Sequence, residues 1–296
     1  MVRRAARIFL ATLFSFSLAL AGHYPLTVRD ALGRVVTIPA RPQRVISLLP
    51  SDSETICAIG ACGLLVGVDR YSTYPPALKS LPHLGGLYNP KIAQIVALHP
   101  DLVVASPYGK LVSALSRLGL TVITVDPNTY AGIFRATELL GRVLDKTAQA
   151  KALITRIREE VAAIERVAAR AKTRPTVYYE IDPTPYTVGP KSFIGTLITR
   201  AGGINIIPAS MGFYPKISPA LVIADNPQVM IGLSLQQAEA RPGWSQIRAV
   251  RSGRVYPLSN HLQNILSRPG PRVPQALLAL ARFLHPRLFR NFQLLP

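Results

Sequence analysis

The sequence predicts an α/β fold built as two similar lobes joined by one long helix. Three observations carry that expectation. Short, continuously apolar runs such as "RVISLLP" (44–50) and "LLVGVD" (64–69) alternate with helical segments, as parallel strands covered on both faces do. The pattern occurs twice: "SETICAIGACGLLVGV" is echoed by "GTLITRAGGINIIPA", and "IAQIVALHPDLVVAS" by "ISPALVIADNPQVMIGL", with Pro227 in the place of Pro100. Between the copies, residues 145–172 contain neither Gly nor Pro. Leu153, Ile154, Ile157, Val161, Ile164 and Ala168 recur there at helical spacing among Arg and Glu.

The elements follow in order. "LTVRDALGRVVTIP" (26–39) alternates around a Gly turn and reads as a hairpin. A buried strand (44–50), a short helix (53–60) and a second strand (64–69) come next. Residues 91–106 and 110–126 each give a helix and then a strand, broken by Pro100 and Gly119 respectively. The long helix is roughly 40 Å at 1.5 Å per residue. The second copy then runs strand (176–182), helix (192–203), strand (204–209) and the helix–Pro–strand unit (217–233). A strand at 254–259 and a helix through "VPQALLALARFLHPRLF" close the chain.

The N-terminus does not belong to the fold. "MVRRAAR" is a basic leader, "IFLATLFSFSLALA" a short apolar run, and Ala19-Leu20-Ala21 a small-residue cleavage site, so residues 1–21 read as a secretory signal. No Cys follows that site, so a lipid anchor is not expected, and the product should be periplasmic. The divisions are then 22–144 (N-terminal lobe), 145–172 (linking helix) and 173–296 (C-terminal lobe).

The chain is strongly basic, with 34 Lys+Arg against 15 Asp+Glu. The charges are scattered without a Lys/Arg run, which argues against nucleic acid as a partner. Cys57 and Cys62, five apart, are compatible with a local disulfide or with two buried thiols. With five dispersed His they form no zinc-type set, and no metal site is expected.

Ligands of open α/β sheets bind beyond the carboxyl ends of the strands. The loops at those positions carry Tyr71, Tyr74, Tyr88 and Tyr108 in the first half, and Tyr186, Phe213 and Tyr214 in the second. The segment "NHLQNILSRPGPR" adds His261, Asn264, Arg268 and Arg272. Aromatics with amides and Arg suit a large, flat, partly polar ligand held by stacking and charge-assisted hydrogen bonds. A Tyr in a Pro-rich loop can equally serve to pack that loop. The motifs G-x-S-x-G and H-E-x-x-H, the P-loop, and a strand-following G-x-G-x-x-G are all missing, so no catalytic residue is assigned. Asp69, Asp126 and Asp182 stand at strand ends, where an Asp most often caps a turn.

"RVISLLPSDSETICAIGACGLLVGVDRYSTYPP", "LGGLYNPKIAQIVALHPDLVVAS", "SFIGTLITRAGGINI", "YPKIS" and "SRPGPR" together resemble the helical-backbone class of ABC-transporter substrate-binding proteins, over residues 44 to about 285. The wording is most similar to cobalamin-binding members. The resemblance implies two Rossmann-like lobes with parallel sheets, a ligand cleft between them, and delivery of a corrinoid to an ABC permease at the inner membrane. Ferric siderophores and heme are the alternative cargoes. It further implies a monomer that is not an enzyme and has no resident cofactor. Carried over by position, it points to Tyr71, Tyr88, Tyr186, Tyr214, Asn264 and Arg268 as ligand-binding residues. Cobalamin binders often use Trp in the cleft, whereas Trp244 lies outside these loops. The resemblance also makes Glu54 a permease-docking glutamate. The repeat sets Thr196 opposite Glu54, so the second lobe lacks the matching charge. Residues 51–54 separately have capping-box spacing, with Ser51 as N-cap and Glu54 reaching back.

Overall fold

Four parallel strands form the first sheet. In a computed structural model describing residues 24–294 apart from Gly109, these are β3 (Val45–Ser47), β4 (Leu65–Val68), β5 (Leu102–Ala105) and β6 (Val122–Thr124), in the order β4-β3-β5-β6. The leader lies outside the described residues. Before the sheet, β1 (Leu26–Arg29) and β2 (Val35–Ile38) form the expected antiparallel hairpin.

The second sheet repeats the first. β7 (Thr176–Asp182) is flanked in parallel by β9 (Ile204–Asn205) and β10 (Val229–Ile231), and β11 (Val255–Tyr256) pairs with β10. The order β9-β7-β10-β11 therefore matches β4-β3-β5-β6. A two-residue strand, β8 (Tyr186–Thr187), adds antiparallel to the end of β7.

The helices fill the connections. α1 (Pro50–Ala58), α2 (Ile92–Ala97), α3 (Leu111–Arg117) and α4 (Tyr130–Val143) serve the first sheet. α5 (Thr147–Ala168) is the linking helix. α6 (Phe193–Arg200), α7 (Pro219–Asp225), α8 (Leu235–Glu239), α9 (Arg248–Arg251), α10 (Asn260–Ser267) and α11 (Val273–Leu284) serve the second. The repeat extends to the backbone. The helices before Gly60 and Gly202 both stop on a left-handed glycine (φ 76° and 83°), which spares a Cβ clash. His99 and Asn226, each just before the repeat's proline, both have positive φ (44° and 45°).

Period-2 alternation divides the core into layers. In β5, Leu102 and Val104 face one apolar cluster while Val103 and Ala105 face another. In β7, Val177 and Tyr179 face the first cluster and Tyr178 a third. The first cluster is shared by both lobes. It runs from Ile56 and Ile133 through Ile157 and Ile164 of α5 to Leu197 and Leu277. The linking helix is thus built into a common core, packed on α4 and α11. The side chains spaced as an apolar stripe in the sequence (Leu153, Ile154, Ile157, Val161, Ile164 and Ala168) are all buried. Among the described residues, no helix is long and apolar enough to cross a membrane.

Candidate functional site

The carboxyl ends of the two parallel sheets open onto a cleft with two adjoining hollows. One, of about 520 Å³, is lined by Ser51, Tyr71, Leu87, Ser106, Tyr108 and neighbours from the first lobe, with Asn264 and Arg268 from the second. The other, of about 600 Å³, is lined chiefly by Tyr179, Asp182, Tyr186, Phe193, Ile194 and Tyr214 of the second lobe. Asn128, Gln263, Ser267 and Pro269 border both, so the hollows are two halves of one site.

The divider is α10. Ser259 caps it by accepting a hydrogen bond from the Leu262 N–H (3.3 Å), and Ile265 and Leu266 anchor its inner face. Its other face presents Gln263, Asn264 and Ser267 to the cleft. The polar sequence "NHLQN" has the look of a loop, and this helix is missed in sequence. Its apolar stripe, Leu262, Ile265 and Leu266, spans little more than one turn, too short a run to mark a helix. On the opposite wall, β7 and β10 approach so closely beyond Glu180 that a Cβ at Gly232 would lie 2.1 Å from the Glu180 carbonyl oxygen, which requires glycine there.

Five of the six expected ligand residues border the cleft. Tyr71, Asn264 and Arg268 lie on the first half, and Tyr186 and Tyr214 on the second. Tyr88 does not. A tight turn closed by Gly86 N–H to Asn89 Oδ1 (3.1 Å) and Asn89 N–H to Gly86 O (3.2 Å) turns Leu87 toward the cleft, while Tyr88 is 96% exposed. Tyr179 and Phe193 were hidden from sequence reasoning because they belong to a strand and a helix rather than to a loop. Tyr108 is held by Asn128, whose Nδ2 donates to its hydroxyl at 3.0 Å. The Arg70 guanidinium lies over the Tyr71 ring, 4.5 Å from its centroid. Burial pushes the Tyr214 and Tyr179 hydroxyls up, so both remain protonated at neutral pH.

Glu54 corrects two expectations at once. Its side chain is 1% exposed, so it is not presented on the surface for docking. Nor does it cap α1, whose N-cap is Leu49 with no side-chain hydrogen bond. Its carboxylate accepts from Arg268 Nη1 at 3.0 Å and from Arg272 Nε and Nη2 at 2.7 and 2.6 Å, both arginines coming from the second lobe. Arg268 Nη2 also donates to the Tyr71 carbonyl (2.8 Å) and to Asn264 Oδ1 (2.9 Å), while Arg272 stacks on Tyr74 at 4.3 Å. A carboxylate one turn into an interior helix, facing two arginines, gains more by pairing across the lobes than by reaching back to its own backbone. Of the three, Arg268 lines the cleft.

The three strand-end aspartates each close a turn. Asp69 accepts from Tyr71 N–H (2.7 Å), Asp126 from Asn128 N–H (3.2 Å) and Asp182 from Thr184 N–H (2.9 Å). Burial raises the Asp69 carboxyl, and the Thr184 hydroxyl and N–H lower that of Asp182. Glu180 is engaged by Arg241 in a bidentate pair and by the Tyr178 hydroxyl at 3.0 Å. Among the described residues, no group of three or more His, Cys, Asp or Glu could hold a metal ion. Cys57 and Cys62 are joined in a disulfide that ties the end of α1 to the following turn.

This arrangement, two α/β lobes sharing a core with a ligand-sized cleft at their facing strand ends, defines a substrate-binding protein. The family model described as "Periplasmic binding protein" matches residues 45–262, and the chain belongs to that family. It is 29% identical over 284 residues to an uncharacterized ABC transporter substrate-binding lipoprotein, YvrC, of Bacillus subtilis, covering 90% of this chain and 88% of the relative. It is 30% identical over 276 residues to a cobalamin-binding protein of Halobacterium salinarum, covering 88% and 74% respectively. Among solved structures, the periplasmic heme-binding protein RhuT of Roseiflexus superposes with a TM-score of 0.74 at 26% identity, over 83% of this chain and 99% of that one. Binding proteins of this class carry small molecules to an ABC permease.

Proposed function

We propose that the chain is an exported binding protein that captures a corrinoid between its lobes and passes it to an ABC importer in the inner membrane. The observation that carries this reading is the pairing of the cleft walls. Tyr71 and Tyr108 on one side oppose Tyr186 and Tyr214 on the other, with Gln263, Asn264 and Ser267 at the divide. A broad macrocycle edged with amides finds aromatic faces for its plane and amide or hydroxyl partners for its rim. The name of the Halobacterium relative supports the same cargo. Binding without turnover is supported by Asp182, which lines the cleft and is engaged in its own turn.

Heme or a ferric siderophore is the second reading. Tyr108 and Tyr186 keep about half of their surface open at the cleft (53% and 43%), and a phenol is a ligand for ferric iron. Titration of the purified protein with cyanocobalamin, hemin and a set of ferric siderophores separates the cases. Micromolar or tighter binding of cyanocobalamin, in preference to the others, is the expected result. Tight hemin binding with an absorption band altered by Tyr→Phe substitution would transfer the assignment to heme. Saturable binding of none of them would end the proposal.

A further inference from the structure

From Ala240 to the C-terminus the sequence holds nine arginines and no Asp or Glu. The fold gathers several of them on one surface. In the second sheet the parallel strands begin along a single edge, at Ile204, Thr176, Val229 and Val255, and α5, α6, α7, α9 and α11 all end there, α7 on the exposed Asp225. The segments are tied to each other. Arg174 Nη2 donates to the Gly203 carbonyl (3.2 Å), Arg254 Nη2 to those of Phe283 and Leu284 (3.2 and 2.9 Å), and Arg282 Nη2 to that of Phe292 (2.9 Å). Gly202 lies against His285, where an added Cβ would be 2.8 Å from Nε2.

Around these ties, Arg170, Lys172, Arg174, Arg251, Arg287 and Arg290 are exposed, and none of the six forms an ion pair among the described residues. Two apolar side chains stand out on the same edge. Leu288, between Arg287 and Arg290, is 39% exposed, and Ile204 at the start of β9 is 45% exposed. A basic field alone would suit any polyanion. With protruding aliphatic side chains it suits a surface that is anionic at its headgroups and apolar just beneath.

We propose that this strand-start face of the C-terminal lobe docks on a membrane of anionic phospholipid. It is separate from the cleft. The seven residues of β7 put about 20 Å between the two ends of the sheet, more than two Debye lengths at about 8 Å each in physiological salt. The charges of this face therefore act on what lies beneath the lobe and leave the cleft open. The proposal does not depend on which ligand the cleft takes.

The test is co-sedimentation of the full exported chain with vesicles of phosphatidylcholine alone or mixed equally with phosphatidylglycerol, at low and high salt. Binding is expected only to the mixed vesicles and should weaken with salt. Each basic side chain near such a surface adds about five-fold to partitioning, so R170Q/R251Q/R287Q/R290Q should lose at least about a hundred-fold. L288N should lose several-fold while keeping the salt dependence. The control K79Q/K91Q/R117Q/R135Q removes the same charge from exposed positions of the first lobe and should bind nearly as the parent does. Equal losses in the two quadruple variants, or equal binding to both vesicle types, would overturn the proposal. Unchanged thermal midpoints and cleft-ligand affinities for both variants confirm that the surface alone was altered.

Discussion

Glu54 and Arg272 meet as a two-bond fork across the lobe interface, Nε to Oε2 at 2.7 Å and Nη2 to Oε1 at 2.6 Å, with side-chain exposures of 1% and 9%. Arg268 completes the triad from the same lobe as Arg272. Removing the carboxylate strands two guanidinium groups in a buried site. Glu54→Ala should cost about 3–5 kcal/mol of unfolding free energy, read from urea denaturation. A variant within experimental error of the parent would show that the triad contributes no net stability.

The cleft assignment separates one tyrosine from the others. Tyr186→Ala and Tyr214→Ala should each weaken binding of the cleft ligand about ten-fold, since each removes an aromatic face from the wall. Tyr88→Ala should leave affinity unchanged, because that ring projects from a turn tip into solvent. Equilibrium titration with the ligand found by screening decides between them.

Asp52 gives the folded protein a pH dependence of predictable sign. The residue is 1% exposed, its Oδ2 accepts no hydrogen bond, and burial holds its carboxyl well above the ordinary value of 3.8, with the neighbouring Asp126 charge adding to the shift. The folded state therefore keeps a proton that the unfolded chain releases, and this residue's contribution to stability falls as pH rises above 3.8. Asp52→Asn removes that contribution. Its stability relative to the parent should increase between acidic and neutral pH, as followed by urea midpoints. A difference independent of pH would contradict the assignment.

The Cys57–Cys62 disulfide closes a short loop at the end of the helix that bears Glu54. Loop-closure entropy for about five residues corresponds to about 2 kcal/mol. Replacing both cysteines with serine should lower stability by that amount while leaving ligand affinity nearly intact, because neither residue lines the cleft. A large loss of affinity would mean that the bridge positions α1 for binding.

The architecture was legible because it is written in periodicity. The stripe from Leu153 to Ala168 marked α5, and the repeated glycine and proline stops marked equivalent turns in both lobes. α10 looks polar because one face serves the cleft, and β8 is two residues long. α4 is a different case, since its apolar period from Ile133 to Val143 and its Thr129 cap are legible in the sequence although no element is assigned there. Tyr71, Tyr108, Tyr186 and Tyr214 could be read from loop position, whereas Tyr179 lies on a strand and Tyr88 on a turn that directs it away from the cleft. Glu54 was beyond the reach of local sequence. Its partners are more than 200 positions away (sequence separations of 214 and 218), and spacing near Glu54 carries no trace of them.

The apolar cluster that passes through α5 has a consequence for how the chain unfolds. Ile133 of α4, Ile157 and Ile164 of α5, and Leu277 of α11 bury one another's surface, so neither repeat owns a complete interior. Severed between α4 and α5, each part would expose an apolar slab to water and lose the driving force for its own folding. The duplicated halves have become a single cooperative unit, and denaturation should proceed in one transition despite the two-sheet architecture.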